Sequence, residues 1–162
     1  MVKDENSLMM IGWREWASLP HIHIPFIKAK VDTGAKTSAL HAFDIYQFTE
    51  RGMPKVHFSV HPLQRREDIV INCSADIIDR RVVSDSGGHR ERRYVIQTPL
   101  VIGGVRWIIE MTLANRESMS FRMLLGRDAM KSILIEPTRS YLLGRPQGII
   151  KSYKKKTQLR KK

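Results

Sequence analysis

The chain has 162 residues, 42% hydrophobic and 27% charged, the size and balance of one packed domain rather than a disordered chain. Its single cysteine, Cys73, excludes an internal disulfide framework and any multi-cysteine zinc or iron–sulfur site. Lys and Arg number 28 against 16 Asp and Glu, a formal net charge of +12, which points to acidic partners rather than basic ones.

No apolar run approaches the ~18 residues of a membrane helix. The polar, mixed-charge start Met1 to Ser7 predicts no secretory leader, so a cytoplasmic protein without a membrane partner is expected. Residues 1–10 read as an N-terminal extension, 11–145 as the folded body and 146–162 as a basic, disordered tail. Leu8 to Trp13 is apolar and aromatic. Ile24 to Val31 alternates as a strand, with Lys28 and Lys30 on one face and Ile27, Ala29 and Val31 on the other. Ala39 to Phe48 is β-rich, Val56 to Val60 alternates, and Ile69 to Ser84 is long enough for one bent strand or two. Tyr94 to Ile102 and Val105 to Leu113 flank Gly103-Gly104, a hairpin signal. Phe121 to Leu125 is apolar and stops at Gly126, Arg127 to Ser132 reads as a short helix, and Ile133 to Ile135 is a strand fragment closed by Pro137. Many strands with one short helix predict an all-β barrel or sandwich.

The positive charge is uneven. Residues 151–162 carry seven basic residues and no acid, so the tail repels itself. It reads either as an arm for RNA, ribosomes or another polyanion, or as a solvated tail. Within the body, Arg80, Arg81, Arg90, Arg92 and Arg93 face only Asp85 and Glu91, and their guanidinium groups suit carboxylate or phosphate contacts. Cys73, within Val70 to Ala75, reads as a buried thiol, His41 as a structural histidine, and Trp13, Trp16 and Trp107 as packing anchors.

Phosphate-loop, dinucleotide, zinc-protease-helix and nucleophile-elbow motifs are missing, so no cofactor is expected. His21 and His23 would share one face of a strand, but no third metal ligand is near them, and no metal is expected. One motif carries chemistry. Asp32-Thr33-Gly34-Ala35 ends the Ile24 to Val31 strand, so an apolar strand delivers a carboxylate to its tip. Gly34 leaves room for a second backbone, and the Thr33 hydroxyl can lock the loop. Alone, the triplet is equally compatible with an ordinary turn. Downstream, Phe121 to Met130 runs apolar strand, Gly126-Arg127-Asp128, then helix, and a glycine-tipped hairpin, Ser84 to Arg90, lies between the two.

An Asp-Thr-Gly strand tip, a hairpin and a Gly-Arg-Asp turn, in this order, resemble the retropepsin signature. Ile11 to Trp16, Lys28 to Ala42 and Glu91 to Ile96 are similar to the bacterial RimB-like, RimK-associated branch of that fold, often labelled an ATP-dependent zinc protease. The residues contain neither a zinc nor a nucleotide motif. The resemblance covers Ile11 to Pro137 and implies a closed retropepsin-like barrel and an aspartic peptidase. It implies catalysis at Asp32, Thr33 and Gly34, with loop support from Ala35, Lys36, Gly126, Arg127 and Asp128. A flap would carry Gly87, Gly88, His89, Arg90, Arg92 and Arg93 to the substrate. Retroviral relatives place an acid where Lys36 stands, so an ion pair of reversed sense, Lys36 with Asp128, is expected.

One Asp-Thr-Gly is half a site. Aspartic proteases, the standard case of two carboxylates sharing one proton, need a pair, so a homodimer is expected. The basic flap and the family's tie to a glutamate ligase imply an acidic peptide, with the glutamate tail of a ribosomal protein as the candidate. The competing expectation is a non-catalytic module on the same fold, docking RNA or an acidic partner through its basic segments.

Overall fold

The structure, a computed structural model, describes residues 8–116 and 119–160, with side chains as far as Lys154. Twelve strands are present: β1 (Met9–Gly12), β2 (Arg14–Leu19), β3 (Ile24–Val31), β4 (Ser38–His41), β5 (Phe43–Glu50), β6 (Met53–Val60), β7 (Ile71–Asp76), β8 (Asp79–Ser84), β9 (Arg90–Ile102), β10 (Val105–Ala114), β11 (Met123–Leu125) and β12 (Ile133–Glu136). One helix, α1 (Ile149–Arg160), follows them. β10, β4, β11, β3, β2 and β9 lie side by side, and β9 pairs again with β10, closing a six-stranded barrel. Closure removes the open edges that would invite aggregation. β8 extends the barrel as a hairpin on β9, β5-β6-β7 form a separate sheet, and β1 pairs in parallel with β12.

Strict alternation explains the barrel's two faces. Ile27 and Ala29 of β3, Leu40 of β4, Met123 and Leu125 of β11, Met111 and Leu113 of β10 and Ile96 of β9 are all buried in the core. The β3 alternation expected from sequence is the one observed.

Several expectations need correction. Ala39 to Phe48 is two strands, because the chain leaves the barrel after His41 and β5 joins the other sheet. Of the two alternatives for Ile69 to Ser84, the structure takes the two-strand one, β7 and β8, in different sheets. The short helix after Gly126 is a 3₁₀ turn, Arg127–Met130. β2 went unread, because Glu15, a charged residue, occupies a core-facing position in it.

The domain limits also shift. Met9 and Met10, assigned to the extension, already pair with Ile133 and Leu134. The tail assigned to disorder holds α1. Its anchor is Tyr153, fully buried, whose hydroxyl donates to the Phe26 carbonyl and accepts the Phe26 N–H. A single buried aromatic with both hydrogen bonds met outweighs the self-repulsion that composition suggested. Residues 161–162 and 1–7 lie outside the described residues.

Candidate active site

β3 ends at Val31, whose N–H donates to the Trp13 carbonyl, and the next N–H, of Asp32, donates to the Leu125 carbonyl at 2.9 Å. Asp32 is therefore held between the barrel and the β1–β2 corner. Its Oδ1 accepts the Gly34 N–H at 3.0 Å, and its carbonyl accepts the Ala35 N–H. Asp32 is half-buried, while Thr33 and Gly34 are exposed, so the carboxylate lies at the surface of the loop and not in the core.

The second motif braces this loop by backbone contact. Gly126 N–H donates to Ser38 Oγ, Arg127 N–H to the Ala35 carbonyl and Asp128 N–H to the Lys36 carbonyl, at 3.0, 2.8 and 2.9 Å. Gly126 is required here for space: a Cβ would stand 2.6 Å from the carbonyl carbon of Thr37. Arg127 reaches across to the Thr33 carbonyl at 2.8 Å.

Two expected details change. Lys36 and Asp128 form no ion pair among the described residues; both side chains are exposed, and it is the backbone of each that joins them. The Thr33 carbonyl, rather than its hydroxyl, takes the bond that steadies the loop.

The β8–β9 hairpin forms as expected from sequence, with Asp79 to Ser84 paired against Val95 to Arg90. Its tip is tied by Asp85, whose Oδ1 accepts the N–H groups of Gly87 and His89, both at 2.9 Å. Those bonds, the His89 N–H first, hold the Asp85 carboxyl below the usual range against the opposing effect of burial. Gly88 takes φ +83°, where glycine is unstrained. His89 and Arg116 approach Asp85 at 3.6 and 3.7 Å. Arg90 and Arg92 are exposed, but Arg93 turns inward and is only 7% exposed. Its Nη1 lies 3.5 Å from Thr112 Oγ1, which donates to the Ser38 carbonyl, and burial lowers its pKa. Arg93, Thr112, Ser38 and Gly126 thus form a chain of contacts from the hairpin root to the Asp32 loop.

Sequence reasoning missed Ser38 and Thr112, which look like ordinary strand hydroxyls, and Glu15. Glu15 is fully buried and accepts the N–H groups of Gly12, Leu142 and Leu143. An acid within an otherwise apolar-aromatic stretch was the available signal. His21 and His23 do not share a strand face: Pro20–Ile22 is a 3₁₀ turn, His23 is left-handed at φ 64°, and the His21 ring contacts Arg106. Among the described residues, no three His, Cys, Asp or Glu side chains converge on a metal position. Cys73 is buried, its thiol on the Ile22 carbonyl. Trp107 Nε1–H donates to the Ala129 carbonyl, anchoring the turn after Gly126.

Residues 10–146 match the model of the RimB-like family, described as retropepsin-like aspartic endopeptidase RimB. The chain is 43% identical over 145 residues to a probable alpha-L-glutamate ligase of Shewanella halifaxensis, covering 89% of this chain and 32% of that protein. It is 47% identical over 136 residues to a protein of the same description from Desulfotalea psychrophila, covering 83% and 29%. The chain thus spans about a third of the length of these curated relatives. The crystal structure of Lpg0085, a protein of unknown function from Legionella pneumophila, superposes with a TM-score of 0.71 at 24% identity, over 85% of this chain and 99% of that one. That likeness is one of fold.

Proposed function

The chain belongs to the RimB-like family of retropepsin-like aspartic endopeptidases, and on that premise we propose that it hydrolyses peptide bonds as a twofold homodimer. The observation that carries the reading is Asp32 at the strand tip, fixed by the Leu125 carbonyl and the Gly34 N–H while remaining at the loop surface. Two such carboxylates brought together share one proton, because like charges at ~3 Å cannot both ionise. The ionised one takes a proton from water as that water attacks the scissile carbonyl. The protonated one donates to the carbonyl oxygen, and the amine leaves with a proton returned through the pair. Neither Asp32 has a private pKa in such a dyad.

Exposed apolar side chains on the β1–β12 ribbon support the twofold reading. The β1–β12 ribbon joins the Asp32 strand through the Trp13–Val31 bond and exposes Leu8, Met10 and Leu134, with Met10 opposite Leu134 in register. Exposed apolar side chains on adjacent strands suit a self-complementary interface.

The proposed substrate is an acidic, glutamate-bearing peptide, with the glutamate tail of a ribosomal protein as the specific candidate. The exposed Arg90 and Arg92 of the hairpin support it, as does the description of the matching relatives as glutamate ligases. A separate contact with RNA or another polyanion is supported by Lys151 and Lys154, both exposed on α1. That contact is a binding role and leaves the peptidase reading untouched.

The test offers a glutamate-tailed and an untailed peptide to the purified protein and to Asp32→Asn. Cleavage by the wild type alone, with Asp32→Asn melting at the wild-type temperature, is expected. Turnover by Asp32→Asn would falsify the aspartic mechanism, and equal cleavage of both peptides would remove the acidic substrate. Sedimentation velocity should show dimers at concentrations where activity appears; activity of a strictly monomeric sample would remove the twofold site.

A further inference from the structure

We infer that a cavity beside β4 and β11 is a subsite for one carboxylate of the substrate, recognised by Arg122; this rests on the peptidase reading above. The cavity has a volume of about 390 Å³ and is lined by His41, Phe43, His61, Glu67, Asn115 and Arg122. It is large enough for one acidic side chain.

The lining is polar and includes the Arg122 guanidinium. Arg122 Nε is sealed from solvent without a hydrogen-bond partner, and none of the ion pairs among the described residues involves its guanidinium. A guanidinium that makes no ion pair at a cavity wall suits an anionic ligand. A guanidinium fork matches a carboxylate by two parallel hydrogen bonds. Glu67, the one acid on the wall among the described residues, is exposed and shares no ion pair with Arg122.

The walls are set rather than loose. His41 N–H donates to the Arg122 carbonyl at 2.8 Å, and His41 Nδ1 accepts the Arg116 N–H at 3.1 Å, which pins both ends of the 116–122 segment to β4. The His61 ring stacks on Phe43 with centroids 4.6 Å apart, and its Nδ1 faces the Ile69 carbonyl at 3.3 Å.

The register relates this cavity to Asp32. Leu124 pairs with Lys30 on one side and Ala39 on the other, so these three share the barrel's outer face. Arg122 and His41 continue the alternation on that face in one direction, and Asp32 continues it in the other. Leu125 pairs with Val31, so Asp32 stands beside Gly126, four residues beyond Arg122 and about 13 Å along the strand at ~3.3 Å per residue. An extended substrate covers that span in about four residues. The carboxylate recognised by Arg122 therefore lies about four positions from the scissile bond.

The experiment uses the full chain and a quenched fluorescent peptide with an amidated C-terminus, carrying Glu or Gln at each position around the cleaved bond. A third peptide carries Gln and a free C-terminus, separating a side-chain carboxylate from a terminal one. Wild-type kcat/KM should favour Glu over Gln most strongly about four residues from the bond. Arg122→Gln should bring that ratio down by about tenfold or more, the worth of a charge-assisted pair. Arg122→Lys should keep part of it, and both variants should unfold at the wild-type urea midpoint. The same ratio is read without turnover, as anisotropy of the labelled peptides on Asp32→Asn and on Asp32→Asn/Arg122→Gln. If no peptide is cleaved but the binding ratio depends on Arg122, the peptidase reading falls and the subsite stands. A Glu-to-Gln ratio near one in the wild type, or one unaltered by Arg122→Gln, overturns the subsite. A preference seen only for the free C-terminus moves the ligand from side chain to terminus and overturns the side-chain assignment.

Discussion

Substituting Gly126 by alanine tests how the Asp32 loop is braced. The new Cβ would stand 2.6 Å from the carbonyl carbon of Thr37, 2.8 Å from its oxygen and 2.9 Å from the carbonyl carbon of Lys36. These are backbone atoms, which cannot swing aside as a side-chain end can. The glycine's own conformation, φ −84° and ψ 170°, suits alanine, so the cost is entirely one of space. Either the 35–37 loop or the start of the 3₁₀ turn must retreat. Three hydrogen bonds span that seam, from Gly126, Arg127 and Asp128, and the Gly126 bond to Ser38 is buried. Overpacking costs ~1–3 kcal/mol and loss of one buried hydrogen bond ~1 kcal/mol. A total of about 2–4 kcal/mol lowers the melting temperature of a domain this size by about 5–15 °C. Urea denaturation should show a lower midpoint at unchanged slope. Gly34→Ala is the control. Its Cβ meets only Asp32 Oδ1, at 3.2 Å, in an exposed loop. Stability should hold within ~0.5 kcal/mol while hydrolysis is lost, because the methyl crowds the carboxylate. A Gly126→Ala protein with wild-type midpoint and melting temperature would refute the reasoning, as would a Gly34→Ala protein destabilised as much as Gly126→Ala.

Other residues make equally specific predictions. Glu15→Ala strands three N–H groups, of Gly12, Leu142 and Leu143, in or near the core, and should cost about 3 kcal/mol or more by chemical denaturation; a loss under 1 kcal/mol would contradict the role given to this carboxylate. Tyr153→Phe removes both hydrogen bonds to Phe26 and should lower stability by about 1–3 kcal/mol and speed proteolysis of the chain end, whereas an unchanged digestion rate would mean that α1 is not docked through this hydroxyl. The Asp85 carboxyl is held below its ordinary value, so its contribution to the hairpin is complete above the unfolded carboxylate pKa near 3.9 and is lost as pH falls through the lower folded value. Amide exchange at Gly87 and His89, corrected for intrinsic rates, should therefore stay slow at pH 5 and accelerate only toward pH 3; Asp85→Asn should remove that pH step, and a wild-type step at pH 5 or above would have the wrong sign for this linkage.

What could be read in the chain before folding was whatever depends on neighbours in sequence. The alternation of Ile27, Ala29 and Val31 against Lys28 and Lys30 defines a half-buried strand, and Asp32-Thr33-Gly34 follows it directly, so the strand-tip carboxylate was legible. Gly103-Gly104 and Gly87-Gly88 marked their hairpins because tight turns demand unusual backbone angles that glycine alone adopts freely. The pairing of Gly126 with the loop was legible only through family resemblance, since nothing local shows that a glycine will press on Thr37.

The rest depended on contacts between distant residues. The strand break at Ala42 was hidden, because a β-rich run continues through it while the chain changes sheets, and length alone left one strand or two open over Ile69 to Ser84. Charge counting labelled the C-terminal segment a repelling tail, yet Tyr153 finds the Phe26 backbone 127 positions away. The same counting grouped Arg93 with Arg90 and Arg92, although the alternation of β9 sends Arg93 inward and leaves Arg92 in solvent. The sequence by itself determined the strands, the turn chemistry and the acid to be displayed, because backbone preference and hydrophobic period act over a few residues. Only the tertiary structure decided barrel closure, the bracing of Asp32 and the isolation of Arg122, because burial and hydrogen-bond satisfaction are properties of atoms that meet in space.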